Sequence, residues 1–203
     1  MDAPMRSYYE QRAPEYDDWW LGTGLFASRD RPGWHEDVTA LQAALASLPP
    51  ARTLDVACGT GFLTEHLPGE VTGIDQSAAM LEVAAARLPG AAFVEGNALD
   101  PPFAPGSFER LHAAHFYGHL DEVQRGAFRA VAARLAGELV IVDSALREGG
   151  EAEAWQDREL NDGSRHRVYK RWFTAEGLAA ELGGGETLHA GPWFVAVRRS
   201  GHA

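Results

Sequence analysis

One stretch constrains this chain more than any other. Thr53-Leu54-Asp55-Val56-Ala57-Cys58-Gly59-Thr60-Gly61 leads, ten residues later, into Val71-Thr72-Gly73-Ile74-Asp75. Thr53 to Ala57 is short, apolar and β-branched, which predicts a buried strand. Cys58 to Gly61 is a tight glycine turn. Phe62 to Leu67 carries Leu63 and Leu67 at helical spacing, and Val71 to Ile74 predicts a second strand ending at Asp75. A β-α-β unit of this kind places its first turn and the tip of its second strand at the carboxyl edge of an open sheet, where ligands bind. Gly59 and Gly61 permit close backbone approach, and an acid at the tip of the second strand suits the hydroxyls of a ribose.

The ligand is narrowed by what the turn lacks. A dinucleotide fingerprint requires a third glycine, and Thr64 stands in its place. Asp55 lies inside the first strand, where a carboxylate would repel a diphosphate but attract an ammonium or a sulfonium. With Leu54 to Gly61 followed by Gly73-Ile74-Asp75, the pattern resembles motif I of class I S-adenosylmethionine-dependent methyltransferases of the small-molecule type. Ala57 stands where many members have glycine.

That resemblance implies a Rossmann-like α/β fold, with a mainly parallel seven-stranded sheet, an antiparallel last strand, helices on both faces and an N-terminal helical lid. It implies S-adenosylmethionine as cofactor and S-adenosylhomocysteine as product. Cofactor contacts are then expected at Asp55, Ala57, Gly59, Thr60, Gly61, Asp75, Gln76 and Met80. Further contacts fall at Asn97, Ala98 and Leu99, where an amide replaces the family's usual acid beside the adenine, and at Tyr9, Tyr16 and His115.

Composition sets the frame. The 203 residues are 45% hydrophobic with a net charge of −11, which predicts one domain with a sizeable core. The acidity argues against nucleic acid or an anionic membrane as partner. Cys58 is the single cysteine, so no intramolecular disulfide is possible, which fits a cytoplasmic setting. No apolar run reaches the length of a membrane span, and no signal-peptide core is found. The expected division is an arm over 1–33, a cofactor-binding core over 34–143, and a substrate-side insertion with closing strands over 144–203.

The remaining elements follow from periodicity and caps. Ser7 is a candidate cap for a short helix ending near Pro14. Helices are expected over 34–48, from Ser77 to Leu88 with Ser77 as N-cap, over 121–135, and from Thr174 to Leu182. Strands are expected over 91–95, 108–114 and 137–142, and the last pair is a hairpin around Gly191-Pro192. Glu151 to Leu160 looks helical, with Arg165 to Trp172 an alternating strand and Asp162-Gly163 the turn between them.

The chemistry-bearing candidates lie outside the glycine turn. His115 and His119, just past the fourth strand, are candidate catalytic bases. As a metal pair they lack a third ligand nearby, so no metal is expected. Arg158 and Lys170, the latter the only lysine among 18 basic residues, could converge on an anion. The segment around them resembles the tail of phosphonate O-methyltransferases of the dehydrophos type, where a basic pair holds the phosphonate; Thr23 departs from that pattern. Trp19, Trp20 and Tyr117 are further candidate substrate contacts. The expected function is methyl transfer to an oxygen of a small anionic metabolite. The alternatives are N- or C-methylation of a neutral or aromatic metabolite of natural-product or quinone type, with Trp19, Trp20, Phe116 and Tyr117 stacking on it, and a non-catalytic cofactor-binding protein. Nothing in the sequence speaks to oligomeric state.

Overall fold

A computed structural model describes residues 3–201. Seven strands form one sheet: β1 (Ala51–Val56), β2 (Gly69–Asp75), β3 (Ala92–Glu95), β4 (Phe108–Ala114), β5 (Ala136–Ser144), β8 (Glu186–Ala190) and β9 (Phe194–Ser200). Their order is β3-β2-β1-β4-β5-β9-β8. β1 to β5 pair in parallel, and β9 lies antiparallel to both neighbours. This is the class I Rossmann-like methyltransferase fold.

The sheet is buried on both faces, as parallel strands flanked by helices must be. β5 shows why its sequence is a continuous apolar run. Leu139 and Ile141 point into a cluster with Leu54, Leu111, Phe128 of α5 (Glu122–Leu135) and Leu178 of α6 (Ala175–Glu181). Val140 and Val142 point to the other face, against Leu41 and Leu45 of α3 (Trp34–Ala46), Trp20 of α2 (Asp18–Leu21) and Phe194. The expected caps are present. Ser77 Oγ accepts the Met80 N–H at 3.1 Å at the start of α4 (Ala78–Arg87), and Thr174 Oγ1 accepts the Gly177 N–H at 2.9 Å.

Three local expectations are corrected. Phe62 to Leu67 is not an α-helix but a single 3-10 turn over Thr64–His66: six residues before Pro68 are too few to propagate one. Ser7 sits inside α1 (Ala3–Arg12), where its hydroxyl accepts from Gln11 Nε2 at 3.0 Å. Glu151 to Leu160 is not helical. It contains β6 (Glu153–Glu159), which pairs antiparallel with β7 (Arg165–Arg171). The helix-favouring Glu, Ala and Gln misled. The determinant is the period-2 pattern: Ala154, Gln156 and Arg158 turn inward while Glu153, Trp155, Asp157 and Glu159 face solvent. Asp162-Gly163 therefore turns a two-stranded hairpin. That hairpin stands beside the carboxyl edge of the sheet and packs on α1 through Tyr8, Leu160 and Val168. Among the described residues no helix is long and apolar enough to cross a membrane.

Candidate active site

The glycine turn is built as its sequence demands, with one strained residue. Ala57 has φ 55°, in the left-handed region, as do Gly59 and Gly61. Asp75, at the tip of β2, accepts the Gly59 N–H at 3.0 Å and the Ser77 N–H at 2.9 Å. Burial raises its pKa above the ordinary carboxylate value, against these backbone bonds. Asn97 Oδ1 accepts from the Leu99 N–H at 3.0 Å and from Gln76 Nε2 at 3.3 Å. Its oxygen is thus engaged and its amide N–H groups remain as donors. Met80 and Ala98 are buried behind these groups.

Asp55 does something other than expected. Its carboxylate is buried, accepting from Thr64 Oγ1 at 2.5 Å and lying 2.7 Å from His112 Nδ1. Both oxygens are committed inside the sheet, so Asp55 shapes the turn from behind. Thr64, which ruled out the dinucleotide fingerprint, is its partner. Cys58 is a packing residue: burial drives its thiol pKa well up, and a Cβ added at Gly73 would lie 2.8 Å from its sulfur.

The N-terminal arm covers this cradle. A Cβ added at Gly59 would meet the Tyr16 ring at 3.7 Å, and the Tyr9 and Tyr16 rings are 6.4 Å apart. Burial raises both phenol pKa values, that of Tyr9 to about 12. Asp17 accepts from Thr60 Oγ1 at 2.6 Å and pairs with Arg87, which also donates to the Thr60 carbonyl at 2.9 Å. Glu10 Oε1 accepts the Ala79 N–H at 3.2 Å at the N-terminus of α4, while its Oε2 is buried with no hydrogen-bond partner among the described residues. No contact was expected from the sequence at Glu10, Asp17 or Arg87: Asp17 follows Tyr16 in the arm, but its partners Thr60 and Arg87 are met only in the fold.

The arm also closes one side of a cavity of about 550 Å³, large enough for a small metabolite. Tyr9, Tyr16, Trp19, His115, His119, Arg158 and Lys170 all line it. Three expected substrate contacts, Trp20, Phe116 and Tyr117, do not line it. Trp20 is buried, stacked on Phe62 at 4.8 Å and on Phe194 at 5.4 Å. Tyr117 is fully buried in the opposite core and donates to Glu181 at 2.9 Å. Phe116 is buried beside Tyr117 in the same core, both rings packing on Phe128, at 5.4 and 5.9 Å.

His115 has φ 51°, an outlier of the kind that gathers at functional sites. Its Nδ1 lies 3.4 Å from Ser144 Oγ and 3.8 Å from Asp143 Oδ1. Its Nε2 has no hydrogen-bond partner among the described residues, and the Trp19 ring meets it edge-on at 4.9 Å. Burial, followed by the nearby Lys170, lowers its pKa to about 3. His119 is more precisely placed for proton chemistry. Its Nδ1 lies 2.6 Å from the Tyr169 carbonyl, which can only accept, so Nδ1 carries the proton and Nε2 the lone pair. Burial, then Lys170 and Arg158, hold its pKa well below the ordinary value.

Lys170 is buried and ion-paired with Asp143, which also accepts the Gly118 N–H at 2.7 Å. It thereby ties β7 to β5. Arg158 instead bonds Gln156 Oε1 at 3.1 Å and lies beside Tyr8; no carboxylate among the described residues pairs with it. Among the described residues no group of three or more His, Cys, Asp or Glu side chains is arranged to hold a metal ion.

The family described as Methyltransferase domain matches residues 53–138. The chain is 31% identical over 188 residues to 2-methyl-6-phytyl-1,4-hydroquinone methyltransferase 2, chloroplastic, of Oryza sativa subsp. japonica, an alignment covering 84% of this chain and 51% of that protein. It therefore spans about half the length of that relative. It is 32% identical over 152 residues to an uncharacterized methyltransferase of Bacillus licheniformis, covering 68% of this chain and 67% of the other. Among solved structures, the complex of DhpI with SAH superposes with a TM-score of 0.73 at 26% identity, covering 98% of this chain and 96% of that one. A complex of DhpI with SAM and HEP shares the fold at a TM-score of 0.75.

Proposed function

The chain belongs to the S-adenosylmethionine-dependent methyltransferases, and we propose that it methylates an oxygen of a small anionic acceptor seated between Arg158 and His119. The observation that carries this reading is the half-buried Arg158 guanidinium on the cavity wall, with no carboxylate partner among the described residues. A cation removed from water without a counter-charge is costly, and an anionic ligand supplies the counter-charge.

The cradle fits the cofactor. Asp75 offers a half-buried acid to the ribose, and the Asn97 amide offers N–H donors to the adenine edge. The unpartnered Glu10 Oε2 is a further acceptor beside the first turn of α4. Bound S-adenosylmethionine supplies an electrophilic methyl group on a sulfonium. The chain's own residues do the rest. Tyr16 covers the glycine turn and excludes water. Arg158 fixes the acceptor, so that much of the rate arises from orientation. His119 Nε2 takes the proton when the acceptor oxygen starts protonated. Burial is the main cause of the low His119 pKa, and an anion at Arg158 offsets the further depression by that guanidinium, raising the His119 pKa from its unliganded position. Lys170 acts mainly by holding the hairpin against β5 through Asp143.

The aromatic part of the wall, with Trp19, Trp34 and Trp193, favours a second reading, N- or C-methylation of a neutral aromatic metabolite. A screen of phosphonates, carboxylates, phenols and amines, read as S-adenosylhomocysteine release, separates the two. Acids are expected to be turned over best. Arg158→Ala is expected to lower their kcat/KM at least about thirtyfold, from the roughly 2 kcal/mol or more of a desolvated charged contact. A neutral acceptor turned over best, and indifferent to Arg158→Ala, would overturn the first reading in favour of the second.

A further inference from the structure

The cations of this acidic chain are not evenly spread. Besides Arg158, the side chains of Arg12, Arg29, Arg31 and Arg147 line the same cavity, and none of them is ion-paired with a carboxylate among the described residues. Arg12 belongs to the inner end, where it donates to Tyr8 Oη at 2.7 Å and lies over the Tyr16 ring at 4.9 Å. The other three form a separate group toward the opening, where Arg29 and Arg147 are exposed.

This outer group is built from contiguous aromatic rings. Arg31 lies 3.8 Å over Trp34, Trp34 meets Trp193 at 5.4 Å, and Arg147 lies 4.6 Å over Trp193. Arg29 lies 4.7 Å over Phe26. Trp193 Nε1 donates to the Pro32 carbonyl at 2.9 Å, and Arg31 donates to the Trp19 carbonyl at 2.9 Å. Stacking fixes a guanidinium plane and leaves its N–H edge available to an oxyanion. Burial, and next the charge of Arg29, lower the pKa of Arg31, so positive charge is concentrated here without neutralisation. None of the described carboxylates on the cavity wall is ion-paired with these three arginines. Glu15 accepts the Asn161 N–H at 2.8 Å, Glu159 pairs with Arg165, and Glu151 and Asp157 face solvent.

We propose that Arg29, Arg31 and Arg147 form a second, outer anion site, and that the acceptor is a small molecule with two separated anionic groups, one at Arg158 and the other at this trio. The proposal rests on the reading of the inner cavity as an anion site and adds the specificity determinant. The outer group selects diacids over monoacids, and the methyl is delivered at the inner end.

The test compares a phosphonocarboxylate, 3-phosphonopropionate, with its monoacid analogue propylphosphonate. Methyl transfer is read as S-adenosylhomocysteine release, and binding by calorimetry in the presence of S-adenosylhomocysteine. Wild-type protein is expected to favour the diacid at least tenfold in both readouts. Arg29→Ala/Arg147→Ala, at two exposed positions, is expected to cut that preference to threefold or less, as is the triple variant with Arg31→Ala. Arg167→Ala, stacked on Trp155 outside the cavity, is expected to leave it intact. Equal affinity for the two acids in wild type, binding of neither acid, a preference that survives the double variant, or one lost equally in Arg167→Ala overturns the outer site. Binding that favours the diacid through the trio with no turnover of either acid would instead sink the O-methylation reading and leave the outer site standing.

Discussion

The left-handed conformation of Ala57 is a local cost borne for the shape of the turn. An L-residue with a Cβ loses roughly 1–2 kcal/mol in this region relative to its right-handed conformations, whereas glycine does not. Ala57→Gly is therefore expected to stabilise the protein by up to about 1 kcal/mol after the entropy cost of glycine. For a chain of this size that corresponds to about 2–4 °C in Tm. A melting curve unchanged or shifted downward would show that the alanine methyl makes compensating contacts. His115 shares this backbone region, but its ring packs against Trp19, Trp20 and Phe194. Replacing it would remove more packing than strain, so it is not an equivalent target.

At the scale of elements, the arm is the part that couples the two halves of the site. Asp17 in the arm clasps Thr60 and Arg87 over the glycine turn, and Glu15, two residues earlier, accepts from the turn of the β6–β7 hairpin at Asn161. Removing the Asp17 charge while keeping its shape should loosen the cover. Asp17→Asn is expected to weaken S-adenosylhomocysteine binding about tenfold, the roughly 1.4 kcal/mol expected for one charged hydrogen-bonding contact, with the far-ultraviolet circular dichroism unchanged. Calorimetric affinity within twofold of wild type would show that the clasp does not hold the cofactor cover. The arm also marks what could be read in the sequence. Tyr9 and Tyr16 were expected at the site only through the resemblance, and both line the cavity although α1 ends between them at Arg12; Gly59, Gly61 and Asp75 could be placed because a strand–turn–strand pattern fixes their positions locally. β6 was not legible as a strand, because its residues favour a helix and its pairing partner lies across a turn. Trp20 and Tyr117 were misplaced for a related reason. Sequence puts an aromatic near the sheet edge, but only packing decides which side of the edge receives its ring. The outer arginines could not be singled out at all: being unpaired is a property of the fold, and nothing in their local sequence records it.

At the scale of the whole molecule, His115 and His119, half-buried on the cavity wall, set how the fold answers to acid. His115 falls from an ordinary value of 6.5 to about 3, and His119 falls well below 6.5, in both cases chiefly because burial penalises the charged ring. Between the folded and unfolded values the unfolded chain binds more protons than the native one, so stability rises with pH across that window. The contribution is fully present above about pH 6.5 and is lost as pH falls toward 3. Asp75 works in the opposite sense, since its folded pKa is raised; it adds stability as pH falls toward the carboxylate range. The ordinary histidine value of 6.5 lies inside the window from pH 7 to pH 5 and the ordinary carboxylate value of 3.8 lies below it, so the slope below neutrality follows the two histidines. Tm is therefore expected to decline steadily from pH 7 to pH 5, before ordinary carboxylates titrate. His119→Gln keeps much of the side-chain volume and, through its amide N–H, the bond to the Tyr169 carbonyl, while removing the titration. It should flatten that decline in proportion to its share, without abolishing the part due to His115. Thermal melts at half-unit steps of pH for the two proteins decide it. A wild-type Tm that is flat from pH 7 to pH 5, or a decline identical in His119→Gln, would mean that the ring at 119 is not kept neutral by its burial between the hairpin and the sheet edge.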